Sequence, residues 1–359
     1  MFAGTAAVLM AAVLLFPLRV SAISAEKAIV LDAATGRVLY EKQADDRSLI
    51  ASTTKIMTAL VVCEQCNVLD RVRIPKEAVG IEGSSLYLRE GEVLTVQELL
   101  YGLMLHSGND AATALAIYCG GTVEGFAQLM NDEAARIGLT DTHFANPHGL
   151  DAPDHYSTAR DLAVLAAYAM ENPIFRQTVS TRNVTIGQRS LQNHNKLLWQ
   201  VDGADGVKTG YTKAAGRILV SSAARDGRRL VAVTINAPDD WADHAALLNE
   251  GFSGFSIRQI VTEGERLGTS EIVGGEAARV ELLAAEDCSY ALAEGEKVTI
   301  VPGGPGFVYA PVTAGADAGT AWVLVDGKPV KKIRLYYGET VERLPEEERS
   351  FWDRIFGGD

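Results

Sequence analysis

Polarity along the chain is uneven from the start: residues 1–18 run almost without a polar side chain. No polar face interrupts the run, which separates it from an amphipathic helix packed on a core. Beyond it the periods shorten. Residues 28–32 and 37–41 read as two strands joined by Ala33-Ala34-Thr35-Gly36, a hairpin with glycine near its end. A helix is predicted to open at Ala51-Ser52, with Ser52 in its first turn. Through Ile56, Met57, Ala59, Leu60, Val61 and Val62 it is apolar nearly all round, so it should cross the core.

Thr95-Val96-Gln97-Glu98 is a capping box, opening a helix through Leu99, Leu100, Leu103 and Leu105 to His106. Ser107-Gly108-Asn109 stops it. Further helices are expected over residues 110–118, ending at Gly120-Gly121, and over 123–137, ending at Gly138. The turn formers of 146–151 read as a loop, and Thr158 caps a helix running to Glu171. Strands return at 218–223 and 230–235, flanking the hairpin signal Asp226-Gly227. The order strands, helices, strands predicts one sheet built from both ends of the domain, with helices packed on it. Past Phe252 the texture changes to short β-like runs with glycine-rich turns. This places a boundary near residue 253 and a small all-β sandwich or barrel to about residue 340. In the tail, 341–359, Phe351, Trp352, Ile355 and Phe356 share one helical face. A membrane-surface contact and packing on the second domain both fit that face, although the acidic run before it would repel anionic lipid.

Composition narrows the classes. With 359 residues, 47% of them hydrophobic, the chain can bury a large core in two domains, and a net charge of -13 argues against a nucleic-acid partner. After the apolar run, Val20-Ser21-Ala22 and Ile23-Ser24-Ala25 offer small residues for signal-peptidase cleavage, so residues 1–25 are read as an export signal. Arg19 lies on the unusual flank for such a signal, which keeps an uncleaved anchor in view. Of the cysteines at 63, 66, 119 and 288, the Cys63-x-x-Cys66 pair lacks a second pair at zinc spacing, so core packing or an incidental disulfide is expected rather than a metal.

The chemistry lies in three short patterns. On a helix, Ser52 and Lys55 share a face, so the hydroxyl and ammonium can meet. To accept a proton near neutral pH such a lysine needs its pKa lowered by roughly 3 units, about 4 kcal/mol, which burial beside other cations supplies. Ser107-Gly108-Asn109 and Lys208-Thr209-Gly210 follow in order. Each alone has a plain structural reading as a cap or a strand end; the ordered trio does not. His143, His148 and His155 fall in a loop-rich stretch without a pair at metal spacing and are read as loop hydrogen-bonders, so no metal or cofactor is expected.

With its flanks Ile50 to Thr58, Met104 to Ala112, Asn146-Pro147-His148-Gly149-Leu150 and Gly206-Val207, the trio resembles the serine D-alanyl-D-alanine carboxypeptidase family of low-molecular-weight penicillin-binding proteins. The resemblance implies an α+β fold. A penicillin-binding-protein/β-lactamase-like transpeptidase domain over 26–252, an antiparallel sheet with a helical lobe, would precede the β-rich domain over 253–340. It implies Ser52 as nucleophile and Lys55 as base, with Ser107 relaying a proton to the leaving amine and Asn109 holding the substrate backbone. Lys208 would supply a cation for the terminal carboxylate beside the hydroxyl of Thr209, and Gly210 would allow close approach. The backbone N–H groups of Ser52 and Tyr211 would form the oxyanion hole. The partners implied are peptidoglycan stem peptides, and β-lactams as inhibitors, at the extracytoplasmic face or cell-wall space of a bacterium. A class A-like β-lactamase and a non-catalytic peptidoglycan-binding protein of the same fold are the alternatives. The first would need an added carboxylate base, and no clear Glu-x-x-Asn element stands between Asn146 and Asp161.

Overall fold

The computed structural model describes residues 22–304 and 306–345. The apolar run over residues 1–18 and the expected face of Phe351, Trp352, Ile355 and Phe356 lie outside these residues. Among those described, no helix is long and apolar enough to cross a membrane. They fall into two compact units divided between Gly254 and Phe255.

The first unit begins with strands β1 (Lys27–Asp32) and β2 (Val38–Lys42), followed by helix α1 (Lys55–Gln65). Next come β3 (Arg71–Arg73), β4 (Val93–Thr95), α2 (Val96–Leu105), α3 (Asn109–Gly120), α4 (Val123–Ile137), α5 (Ala159–Ala169) and α6 (Pro173–Ser180). A hairpin of β5 (Asn183–Ile186) and β6 (Arg189–Gln192) and a single turn α7 (Leu197–Gln200) lead to β7 (Ala204–Thr212), β8 (Gly216–Arg225), β9 (Arg228–Ile235) and α8 (Asp240–Gly254). The main sheet runs β2-β1-β9-β8-β7, antiparallel throughout, so both ends of the unit build it as expected.

Local chemistry sets the boundaries. The Thr95 hydroxyl accepts from Glu98 N at 3.2 Å while the Glu98 carboxylate accepts from Thr95 N at 2.7 Å, closing the expected box. Gly138 takes φ +88° and lets its N–H cap α4. Asp226 and Gly227 both have positive φ, the requirement of a tight hairpin between twisted strands. α1 is buried from Lys55 to Cys63, and α2, α3, α4 and α5 all pack against it.

One expectation needs correction. Ser52 is not in the first α-helical turn: Ala51–Thr54 forms a separate 3-10 turn, with Ala51 at φ +46°, and α1 starts only at Lys55. Cys63 stays free and buried while Cys66 is bonded to Cys119, so the two neighbours in sequence have different fates. α8 and the short hairpins β3/β4 and β5/β6 had no clear sequence signal.

The second unit is all β: β10 (Phe255–Val261), β11 (Arg266–Val273), β12 (Arg279–Ala284), β13 (Cys288–Ala293), β14 (Val298–Gly303), β15 (Phe307–Tyr309), β16 (Asp317–Val325) and β17 (Lys328–Tyr337). A six-stranded sheet, β14-β16-β17-β12-β11-β15, is joined by the pair β10-β13. Val261 and Cys288 from the pair bury against Val323 and Ile333 of the larger sheet, a sandwich core. The unit also extends past residue 340, because Val341 is buried and bridged to Val312, and Arg343 is bridged to Gly275.

Candidate active site

Lys55 is the centre of the site. Its side chain is fully buried, and Nζ lies 3.0 Å from Ser52 Oγ, 2.7 Å from Asn109 Oδ1 and 2.5 Å from the carbonyl of His148. Burial pushes its pKa well below the ordinary range; the nearby charge of Lys208 adds to this and Asp110 opposes it. The identity of its partners carries a further consequence. Asn109 Oδ1 and the His148 carbonyl can only accept, and together they use both hydrogens of a neutral amine. In that neutral form the remaining lone pair faces the Ser52 hydroxyl, whereas the ammonium would donate its third N–H to the same oxygen.

The turn that carries Ser52 is held from outside α1. His155 Nδ1 accepts from Ala145 N at 3.1 Å, which leaves Nε2–H to donate to Thr54 Oγ1 at 2.7 Å; that hydroxyl in turn donates to the Ala51 carbonyl at 2.8 Å. Thr58 Oγ1 donates to the Pro147 carbonyl at 2.6 Å, pinning the 146–151 loop to α1. Gly149 is obligatory here: at φ +88° it passes so close that an added Cβ would stand 1.9 Å from the Ala51 carbonyl oxygen. His148 and His155 are therefore hydrogen-bonders of this loop. Burial pushes both down to about 4 and keeps them neutral.

Ser107 and Asn109 sit between α2 and α3. Ser107 takes φ +64°, a conformation that breaks the helix and sends the chain into α3. Asn109 Nδ2 donates to the Glu82 carbonyl at 2.5 Å, which fixes Oδ1 toward Lys55, and Asn109 N donates to the Ser84 carbonyl at 2.7 Å. Asp110, buried, accepts from Ser85 Oγ and from the backbone of Leu86 and Leu88, so the loop after Gly83 is fastened to the start of α3.

The third motif lies on β7, the edge of the main sheet. A Cβ at Gly210 would stand 3.3 Å from both Ile50 O and Ser52 N, so the strand runs directly against the turn that carries Ser52. Lys208 is buried, with Nζ donating to the Thr209 carbonyl at 2.9 Å, and burial lowers its pKa to about 7.

Between these elements opens a cleft of about 340 Å³ lined by Ser52, Ser84, Ser107, His194, Thr209 and Gly210, with Tyr211, Arg217, Asp240 and Trp241 completing its wall. Ser52, Ser107, Thr209, Gly210 and Tyr211 are thus brought together as the motifs imply. Lys55, Asn109 and Lys208 stand behind the wall. Ser84, His194, Arg217, Asp240 and Trp241 carry no local sequence pattern: they come from two separate loops, from β8 and from the start of α8. Among the described residues there is no cluster of metal-binding side chains.

Comparison with known proteins places the chain in a family. A family model described as D-alanyl-D-alanine carboxypeptidase matches residues 16–239, and one described as the penicillin-binding protein 5 C-terminal domain matches residues 255–343. The chain is 32% identical to the D-alanyl-D-alanine carboxypeptidase DacF of Bacillus subtilis, over 85% of this chain and 82% of that protein. It is 34% identical to DacC of Escherichia coli over 91% and 86%. The solved structure of penicillin binding protein 5 from Haemophilus influenzae superposes with a TM-score of 0.78 at 29% identity, covering 90% of this chain and 99% of that one. A variant of the Streptomyces K15 DD-transpeptidase gives 0.63 at 37% identity over 65% and 99%. The first family model covers more than half of the chain and the curated relatives are 32% and 34% identical over most of both lengths: the chain belongs to the D-alanyl-D-alanine carboxypeptidase family.

Proposed function

We propose that this chain removes the terminal D-alanine from peptidoglycan stem pentapeptides through an acyl-enzyme on Ser52, and that β-lactams acylate the same oxygen. The observation that carries the reading is the pair of carbonyl acceptors on Lys55, which leaves its lone pair facing Ser52 Oγ at 3.0 Å. Lys55 takes the hydroxyl proton as Oγ bonds to the carbonyl carbon between the two D-alanines. The developing oxyanion is met by the backbone N–H groups of Ser52 and Tyr211; the close approach of Gly210 to Ser52 N supports that assignment. The C–N bond then breaks, and the proton passes from Lys55 by way of Ser107 to the departing D-alanine nitrogen. Asn109 holds Lys55 in place and, by resemblance, the substrate backbone. Water adds to the ester, the C–Oγ bond breaks, and Ser52 regains its proton.

With a β-lactam the amine stays tethered to the acyl group. The one carboxylate among the described residues lining the cleft, Asp240, is tied to Arg217 at 2.6 Å, which supports slow turnover of the penicilloyl ester rather than a lactamase role. The test is D-alanine release from a pentapeptide together with mass spectrometry of the penicillin-treated protein. A long-lived adduct on Ser52 and loss of both activities in Ser52→Ala are expected; equal release by the variant, or rapid nitrocefin turnover, would overturn the reading.

Export belongs to the same proposal. Asp243 accepts from Ser24 N, Ser24 Oγ and Ala25 N at 2.7–3.0 Å, which favours a leader cut after Ala22 over one after Ala25. Contact of the tail face bearing Trp352 with the outer membrane surface is tested by vesicle co-sedimentation with and without residues 345–359.

A further inference from the structure

The carboxylate that ends the substrate needs a cation at the cleft wall, and strand geometry decides which one faces it. Side chains alternate along a strand, and directly paired residues of antiparallel neighbours share a face. In the β7–β8 ladder Thr209 pairs with Leu219 and Tyr211 with Arg217, whereas Lys208 pairs with Val220. Thr209, Tyr211 and Arg217 therefore share one face, and Lys208 points from the other. Thr209 and Arg217 are diagonal neighbours, a separation that a long side chain spans. Thr209 and Arg217 both line the cleft with Ser52; Lys208 does not, and its Nζ is already engaged by the Thr209 carbonyl at 2.9 Å.

We propose that Arg217 reads the terminal carboxylate of the substrate, together with the Thr209 hydroxyl, and that Asp240 holds its guanidinium in position for this. Arg217 Nη2 donates to Asp240 Oδ1 at 2.6 Å, and Asp240, the first residue of α8, is itself buried. The Trp241 ring lies 5.9 Å from the guanidinium carbon and limits its swing on another side. One contact to Asp240 leaves the rest of the five-donor fork available, and a planar fork matches a carboxylate through two parallel hydrogen bonds. The Arg217 side chain is 43% exposed, so an incoming anion reaches it without displacing the protein core. Lys208, behind the wall, keeps the local potential positive and helps depress Lys55.

This assignment rests on the carboxypeptidase reading, and its test separates the two. Compare kcat/KM for N-acyl-L-Lys-D-Ala-D-Ala with that for the same peptide ending in a carboxamide, in wild type, Arg217→Ala and Arg217→Lys. Using the acid-to-amide ratio within each protein cancels any difference in folded fraction. The wild type should favour the free acid, and Arg217→Ala should cut that preference about 10- to 100-fold with the amide rate little changed, the range expected for one charged hydrogen-bonded contact. Arg217→Lys should recover part of it. An active wild type whose acid preference survives intact in Arg217→Ala overturns the assignment and leaves the function standing. A wild type that cleaves neither peptide overturns both.

Discussion

The carboxylate of Asp110 offers a perturbation with two separable effects. It accepts four hydrogen bonds: Leu86 N at 3.0 Å and Ala111 N at 2.9 Å on Oδ1, Ser85 Oγ at 2.7 Å and Leu88 N at 3.1 Å on Oδ2. In Asp110→Asn the amide keeps one acceptor for Leu86 and Ala111 but turns an NH2 group toward Leu88 N. One buried backbone donor is then stranded, at about 1–3 kcal/mol; Asp110→Ala strands those of Leu86, Leu88 and Ala111, about 3–9 kcal/mol. The loop thus loosened carries Ser84 into the cleft and holds Asn109 through the Ser84 carbonyl. The second effect is electrostatic. The negative charge of Asp110 favours protonated Lys55, so removing it lowers the lysine pKa further. Below that pKa the base is occupied by a proton, and the acylation rate rises with pH through it. The Asn variant should therefore unfold at lower urea concentration and acylate more slowly at its plateau, while the acid limb of its penicillin acylation profile moves to lower pH. A limb that moved upward would refute the electrostatic argument, and unchanged stability would refute the role of the clamp.

Two further outcomes follow from the same structure. Gly149→Ala should depress acylation far more than it depresses overall stability, since its methyl group would push the Ala51 carbonyl and with it the Ser52 turn; stopped-flow penicillin acylation beside thermal melting checks this. His244, buried between Ser221 Oγ at 2.5 Å and Thr234 Oγ1 at 2.9 Å, has its pKa pushed by burial from 6.5 down to about 3. The unfolded chain therefore takes up a proton below pH 6.5 that the native state refuses, and stability falls toward acid by about 2 kcal/mol between pH 6.5 and 5. Urea titrations at both pH values should show this loss, and His244→Gln should remove most of it; an unchanged pH dependence in the variant would show that other groups cause it.

Which elements could be read in advance depended on whether their signals were local. Thr95 to Glu98, Asp226-Gly227 and Gly138 each close a structure within a few residues, so their chemistry is complete in the sequence. Strands β3 to β6 span only three or four residues each, too short for any alternation to register. α8 opens on Asp240-Trp241-Ala242-Asp243, whose acidic side chains are engaged elsewhere: Asp240 with Arg217 and Asp243 with Ser24. The bond from Cys66 to Cys119 spans 53 residues, a distance at which no spacing rule operates.

The same distinction divides the site. Ser52 and Lys55 meet because three residues separate them, and that much is legible without a fold. A meeting distance alone does not make a base, because a solvated lysine between the same residues would stay protonated. Neutrality depends on what arrives from far away: the Asn109 amide 54 positions along and the His148 carbonyl 93 positions along, each accepting one N–H. Both are fixed in turn, Asn109 by the Glu82 carbonyl and the 146–151 loop by Thr58 and by the absence of a side chain at Gly149. The motif residues supply the atoms that the proposed mechanism would use, and the flanks Asn146 to Leu150 supply the carbonyl and the close approach that hold Lys55 against Ser52. Replacing Lys55 by a residue of equal charge but no accessible neutral form should therefore abolish acylation even if every contact were kept, since the lone pair, and not the charge, is what faces Ser52.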